Sequence, residues 1–213
     1  MTLPTAFLES GGRFRDTLKA MMTDPGEFFR AAPREGPIGR VLWFGVACQT
    51  IGIAVMWLCM GLFFSVMFTM IPHIDPKAAQ GMPPLWLFPL IFGGIALLSP
   101  VFAALGLIVT AVIDHVALSL LGGGQEFNIT LRAVALSQGP MALGIIPLIG
   151  LQIGQIWALV LRVIAIKEMH QISTGKAIAV IVLPILVFFC LFFGLYIAMF
   201  LVFFGSMAAH GAH

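Results

Sequence analysis

Between residues 41 and 71 the chain carries no Asp, Glu, Lys, Arg or His. A helix crosses the hydrocarbon of a bilayer with about 20 apolar residues, so this run is long enough to span with excess. The whole chain follows suit: 60% of its 213 residues are hydrophobic, 9% are charged and the mean hydropathy is +1.06. A soluble domain carries about 25% charged residues because its surface faces water. This chain is therefore solvated largely by lipid and reads as an all-α integral membrane protein. Disordered tails, collagen, disulfide mini-proteins and ordinary cytosolic enzymes are excluded. A formal net charge of +2 gives no field that points to nucleic acid. Cys48, Cys59 and Cys190 lie in apolar runs without CxxC spacing, where a thiol acts as a small hydrophobe.

Four more apolar runs follow. Residues 72–77 and Pro83-Pro84 form a polar loop, and then 85–121 exceeds one straight crossing, with Pro89 and Ser99-Pro100 interrupting it. One reading places the span at 96–121 with 85–95 at the outer interface. The other is a single tilted, kinked helix from Leu85. Gly122-Gly123-Gly124 ends it, since each glycine costs a helix about 1 kcal/mol. The third run, 133–149, is broken by Gly139-Pro140 and Pro147; Gly150 turns the chain into the fourth, 151–166. These two predict an antiparallel helical hairpin, with Gly150-xxx-Gly154 and Ala135-xxx-Gly139 suited to close packing. The fifth run is 177–205. The expected organisation is a cytoplasmic arm at 1–40, a five-helix transmembrane domain at 41–205 and a short extracytoplasmic tail at 206–213.

In the arm, Phe14, Leu18, Met21 and Met22 recur at helical spacing among Arg13, Arg15, Asp16 and Lys19, which predicts a short amphipathic helix. Asp24-Pro25-Gly26 stops it and offers an N-cap with proline at N1 for a second short helix, carrying Glu27 to Arg30 and ended by Pro33. No secretory signal is read here, because the first apolar run starts only near Val41. Five crossings put the termini on opposite sides. The arm, Arg132, Lys167 and Lys176 hold nine of the eleven Lys and Arg residues, and that side is expected to be cytoplasmic. The amino terminus is then inside and the carboxyl terminus outside, with a bacterial inner membrane as the expected location.

Ionisable groups within spans are costly and rare, so each is a candidate. Asp114 and Arg162 fall at similar depth, which predicts an interhelical ion pair with His115 on the adjacent face; the same pair also serves simply to relieve desolvation. Gln138, Gln152 and Gln155 form a second polar set, either lining a cavity or hydrogen-bonding between helices. Arg13, Phe14, Arg15, Leu18, Lys19, Phe28, Phe29 and Arg30 suit a helix lying on anionic headgroups of the inner leaflet, or the docking of a cytoplasmic protein. Tail residues His210 and His213 are a weak metal pair, and the metal expectation is none. No HExxH, GxSxG or paired carboxylates occur, and the glycine triplet lacks the Lys-Ser/Thr of a phosphate loop. No enzyme activity and no cofactor are expected.

Several stretches together resemble a known family. Pro25-Gly26-Glu27-Phe28-Phe29 precedes the first span, and the glycine turn has His115 upstream and Phe127 downstream. Thr130-Leu131-Arg132-Ala133-Val134-Ala135 leads to Ser137-Gln138-Gly139-Pro140 and an Ile-Pro; Trp157 is central in the fourth run. His170, Ser173, Gly175, Lys176 and Ala177 follow. Over about residues 20–205 the chain resembles the Ypt-interacting-protein (Yip) domain family in a bacterial-type version. The resemblance implies five transmembrane helices, a cytoplasmic amino terminus and no catalytic centre. Eukaryotic members bind Rab-type GTPases in early secretory traffic, through settings with a long acidic or Gln/Pro-rich arm that this chain lacks. The function expected is a non-enzymatic membrane scaffold or adaptor that organises lipid or partner proteins, a second copy of the chain among them. The alternative is a transporter or scramblase with a path near Asp114, His115 and Arg162, although no inverted repeat is visible.

Overall fold

The computed structural model describes residues 14–74, 83–123 and 126–210, with side chains omitted at 72–74 and 205–210. Arg13, Lys77 and His213, and the side chain of His210, lie outside the described residues. Among those described the protein is all-α. Helices α1 (Phe14–Thr23) and α2 (Pro25–Ala31) form the arm, followed by α3 (Gly39–Ile74) and α4 (Leu87–Leu120). Next come α5 (Phe127–Ser137), a 3-10 turn (Gly139–Ile145), α6 (Gly150–His170) and α7 (Thr174–His210).

The local chemistry explains where these helices start and stop. Asp24 caps α2, its carboxylate accepting from the Glu27 amide at 3.1 Å with Pro25 at the first position. Leu121 closes α4 in a Schellman arrangement: Gly122 takes φ +70°, its amide donates to Ser119 O at 3.2 Å, and the Gly123 amide to Leu118 O at 2.9 Å. Gly122 and Gly123 thus end the helix as the sequence implies; Gly124 lies outside the described residues.

Proline is where expectation and structure part. Residues 85–95 are not a separate interfacial segment before a span at 96–121; α4 runs unbroken from Leu87. Pro89 falls in its first turn, where a helix has no use for the missing N–H. Pro100 is interior and leaves the Ala96 carbonyl without its backbone donor. The Ser99 hydroxyl supplies the bond instead, at 2.7 Å. Helix α3 likewise continues past Pro72 to Ile74, and α7 continues past residue 205 to His210.

Among the described residues, four helices are long and apolar enough to cross a membrane: Gly39–Ile71 within α3, Leu87–Leu120, Gly150–His170, and Thr174–Phe204 within α7. The third apolar run is not among them. It divides at Gly139-Pro140 into the 11-residue α5 and the 7-residue 3-10 turn. Irregular backbone is tolerable at membrane depth only when protein surrounds it. Here α3 and α6 both pack on the turn, and α6 returns antiparallel along α5 as the predicted hairpin. The approach is backbone on backbone. A Cβ on Gly45 of α3 would lie 2.5 Å from Ala135 O, and one on Gly154 of α6 would lie 2.6 Å from Pro140 O.

One core joins the arm to the bundle. Met21, Phe28 and Phe29 of the arm are fully buried with Phe44 of α3, Leu107 and Leu118 of α4, Val134 and Leu136 of α5, and Leu161 and Ile166 of α6. Met21 and Leu18 rest against Gly139 at the break. Helix α7 joins only through its first turns, at Ala177, Val180 and Ile181; from Val182 onward almost every described residue is exposed.

Candidate functional site: polar layers inside an apolar bundle

Three groups of polar side chains follow one another inward from the arm. The outermost ties the arm to the end of α6. Arg30 Nε donates to Glu168 Oε2 at 3.0 Å, and Lys167 Nζ meets the other carboxylate oxygen at 3.0 Å. The Glu168 hydrogen bond, and then its charge, hold the Arg30 guanidinium above its ordinary pKa. Arg34 donates to the Glu168 carbonyl at 3.3 Å, and to the Gln171 side-chain oxygen at 3.0 Å when that amide is turned to accept. Arg132, almost wholly buried on α5, donates to Pro33 O at 3.4 Å and to Gly36 O. It thereby satisfies carbonyls of the linker between arm and α3, which have no helical partner.

The second layer contains the predicted ion pair. Arg162 Nε lies 3.4 Å from Asp114 Oδ2, with the two side chains 17% and 3% exposed. The contact is one of charge, because neither atom meets hydrogen-bond geometry. His115 points the other way: its Nδ1 lies 3.0 Å from Thr130 Oγ1, and Thr130 Oγ1 lies 3.1 Å from His170 Nε2. A hydroxyl has one proton and two lone pairs, so Thr130 links the tautomers of the two imidazoles. Phe127 packs edge-on against His115, with centroids 5.4 Å apart.

The third layer is a notch of about 200 Å³ lined by Gln49, Gln138, Met141, Gln155, Leu159 and Arg162. Two of the three predicted glutamines meet there. The Gln138 amide also reaches back to Val134 O at 3.5 Å. Gln152 instead lines a separate, larger groove of about 270 Å³ toward the far end, among Met56, Cys59, Met60, Phe63 and Leu151. Gln49 was not singled out from the sequence. It is an amide inside a run free of charge, the same signal that marks Gln138, Gln152 and Gln155 in the third and fourth runs. Thr130 and His170 stood out only as part of the family resemblance, because only the fold brings them to His115.

The arm residues divide. Phe28 and Phe29 are 1% and 0% exposed, which corrects the expectation that they touch headgroups or a partner. They are core side chains, because α2 folds onto α6 rather than onto lipid. Phe14 is half-buried, 5.0 Å from the Phe44 ring and 6.1 Å from that of Trp43, and Leu18 lies against Gly139. Arg15 and Lys19 are exposed, and Arg30 is engaged with Glu168.

Long apolar helices with an arm folded onto them and, among the described residues, one ion pair between two spans define a multi-pass α-helical membrane protein. A family model of the Yip1 domain matches residues 19–197, and the chain belongs to that family. The match starts inside α1 and ends inside α7, so it takes in the arm as well as the bundle. No curated protein and no solved structure matches the chain.

Proposed function

We propose that this Yip1-family protein is a non-enzymatic membrane scaffold that presents a rigid, arm-covered face on the cytoplasmic side and organises lipid or a protein partner there. The observation that carries this reading is the docked arm. Its apolar face is spent inside the core, and the exposed Arg15, Asp16, Lys19 and Glu27 are held on a fixed platform rather than a loose tether. A bacterial inner membrane with the amino terminus inside fits the distribution of basic residues.

The platform reading includes a fifth crossing made of two pieces. Helix α5 and the 3-10 turn together reach roughly 30 Å, at about 1.5 and about 2.0 Å per residue, which matches the hydrocarbon. Termini on opposite faces follow. With the three cysteines replaced by alanine, a single cysteine at Ala212 should react with an impermeant maleimide in intact bacterial cells. One at Ser10 should react only after permeabilisation; labelling of both from the same side would reject five crossings.

A second reading, translocation of a lipid or solute, is favoured by the notch around Arg162. The two separate in liposomes that contain the purified protein. The scaffold predicts neither lipid scrambling nor ion flux above that of protein-free vesicles, and turnover in either assay would overturn it.

A further inference from the structure

The notch beside Arg162 is polar, yet its mouth faces lipid. Gln49, Gln138, Gln155 and Arg162 line it, and at its rim Gln155 and Leu159 are exposed. Helix α6 has 21 residues, about 31 Å, and Gln155 lies five residues or about 7.5 Å inside its end at Gly150. That depth is hydrocarbon. Gln152 differs, being within one turn of the same end, where its amide reaches the headgroups. Among the described residues no hydrogen bond engages the Gln155 amide. A bare amide at that depth is costly, because lipid tails offer neither a donor nor an acceptor. Water in the notch would only move the cost outward, since those waters would themselves border lipid.

The pattern along α6 says what covers it. Gln152, Gln155, Leu159 and Arg162 follow one another at intervals of three, four and three residues, the seam of two helices packed at a shallow left-handed angle. Arg162 is drawn inward to Asp114, so like charges do not meet across such a seam. An amide carries both a donor and an acceptor, and two of them satisfy each other. Two copies inserted the same way are related by a twofold axis along the membrane normal, which sets each residue opposite itself at equal depth. Any other helix would need its own amide at the depth of Gln155; a second copy has one there by construction. We propose that the α6 face at Gln155 and Leu159 binds a second copy of this chain, Gln155 of the partner subunit closing the notch through a reciprocal pair of amide hydrogen bonds. The pairing goes beyond the scaffold reading, since it sets two arms in one unit whatever function they serve.

Resonance energy transfer between donor- and acceptor-labelled full chains in phosphatidylcholine vesicles, followed as the protein is diluted with lipid, tests this. The wild type should form a dimer, and Gln155→Leu should weaken it about tenfold, the worth of two interhelical amide bonds in a membrane. Ile153→Leu, on another exposed face of α6, should leave the affinity unchanged. With the three cysteines replaced by alanine, Leu159→Cys should give a disulfide-linked dimer under copper phenanthroline. Val160→Cys, about 100° further round the helix, should not. A wild type that stays monomeric at every density, with or without a retained lipid or solute, overturns the proposal. So does a dimer that keeps its affinity in Gln155→Leu, or one that crosslinks through Leu159→Cys no better than through Val160→Cys.

Discussion

Arg162→Leu will lower the stability of the protein by about 3–5 kcal/mol, because it strands the Asp114 carboxylate in an apolar bundle. The Asp114 side chain is 3% exposed and sits six residues, or about 9 Å, inside the end of α4 at Leu120, more than its short stem can reach across. Asp114→Leu will cost less. The stranded Arg162 has a long stem, is 17% exposed already, and can bend toward the headgroups. The double variant, leucine at both positions, will recover most of the loss, since removal of both charges removes the desolvation penalty with the attraction. Unfolding of the three variants in bicelles or detergent gives the comparison. If the double variant is as unstable as the two single losses added together, the charges do not act as a pair.

Phe29→Ala will cost about 3–5 kcal/mol at a site outside every membrane span. Its ring is fully buried against Phe28, at 5.2 Å between centroids, and within the core that α3, α5 and α6 share. The loss should appear locally. With its apolar anchor gone, α2 is held by Arg30 and Arg34 at Glu168, contacts near the surface that contribute little individually. Trypsin should then cut after Arg30 and Arg34 at a rate at least tenfold above wild type, while the bundle stays intact. Equal cleavage rates would mean that the arm is not secured by its core residues.

Much of this arrangement was legible because lipid makes the rules few. Long apolar runs located α3, α6 and α7 and, with its start left open by prolines, α4; the Asp114–Arg162 pair followed from two charges at similar depth in runs otherwise without them. What escaped the reading was settled by single contacts across or along helices. Pro100 looks like a break until Ser99 is seen to donate to the carbonyl it leaves open. Gly139-Pro140 reads as a break in the third run, but the residues alone do not say that a short helix gives way there to a 3-10 turn that α3 and α6 enclose. Amphipathicity in the arm is also ambiguous by nature. An apolar stripe at Phe14, Leu18 and Met21 fits a bilayer surface and a protein groove equally, and only tertiary packing decided for the groove.

The helices differ in length in a way that bears on the surrounding membrane. α6 has 21 residues, about 31 Å, and matches a hydrocarbon layer about 30 Å thick. α3, α4 and α7 have 36, 34 and 37 residues, each more than 50 Å by the same rise of about 1.5 Å. Such rods must lean, protrude, or gather thicker lipid around themselves, each at a cost of fractions of a kcal/mol per Å. α7 has almost no protein neighbour beyond Ile181, so the bilayer alone must accommodate its excess. Lipids on the α6 side and lipids on the α7 side thus border walls of unequal height. A sheath of uneven thickness around the protein follows from those helix lengths alone.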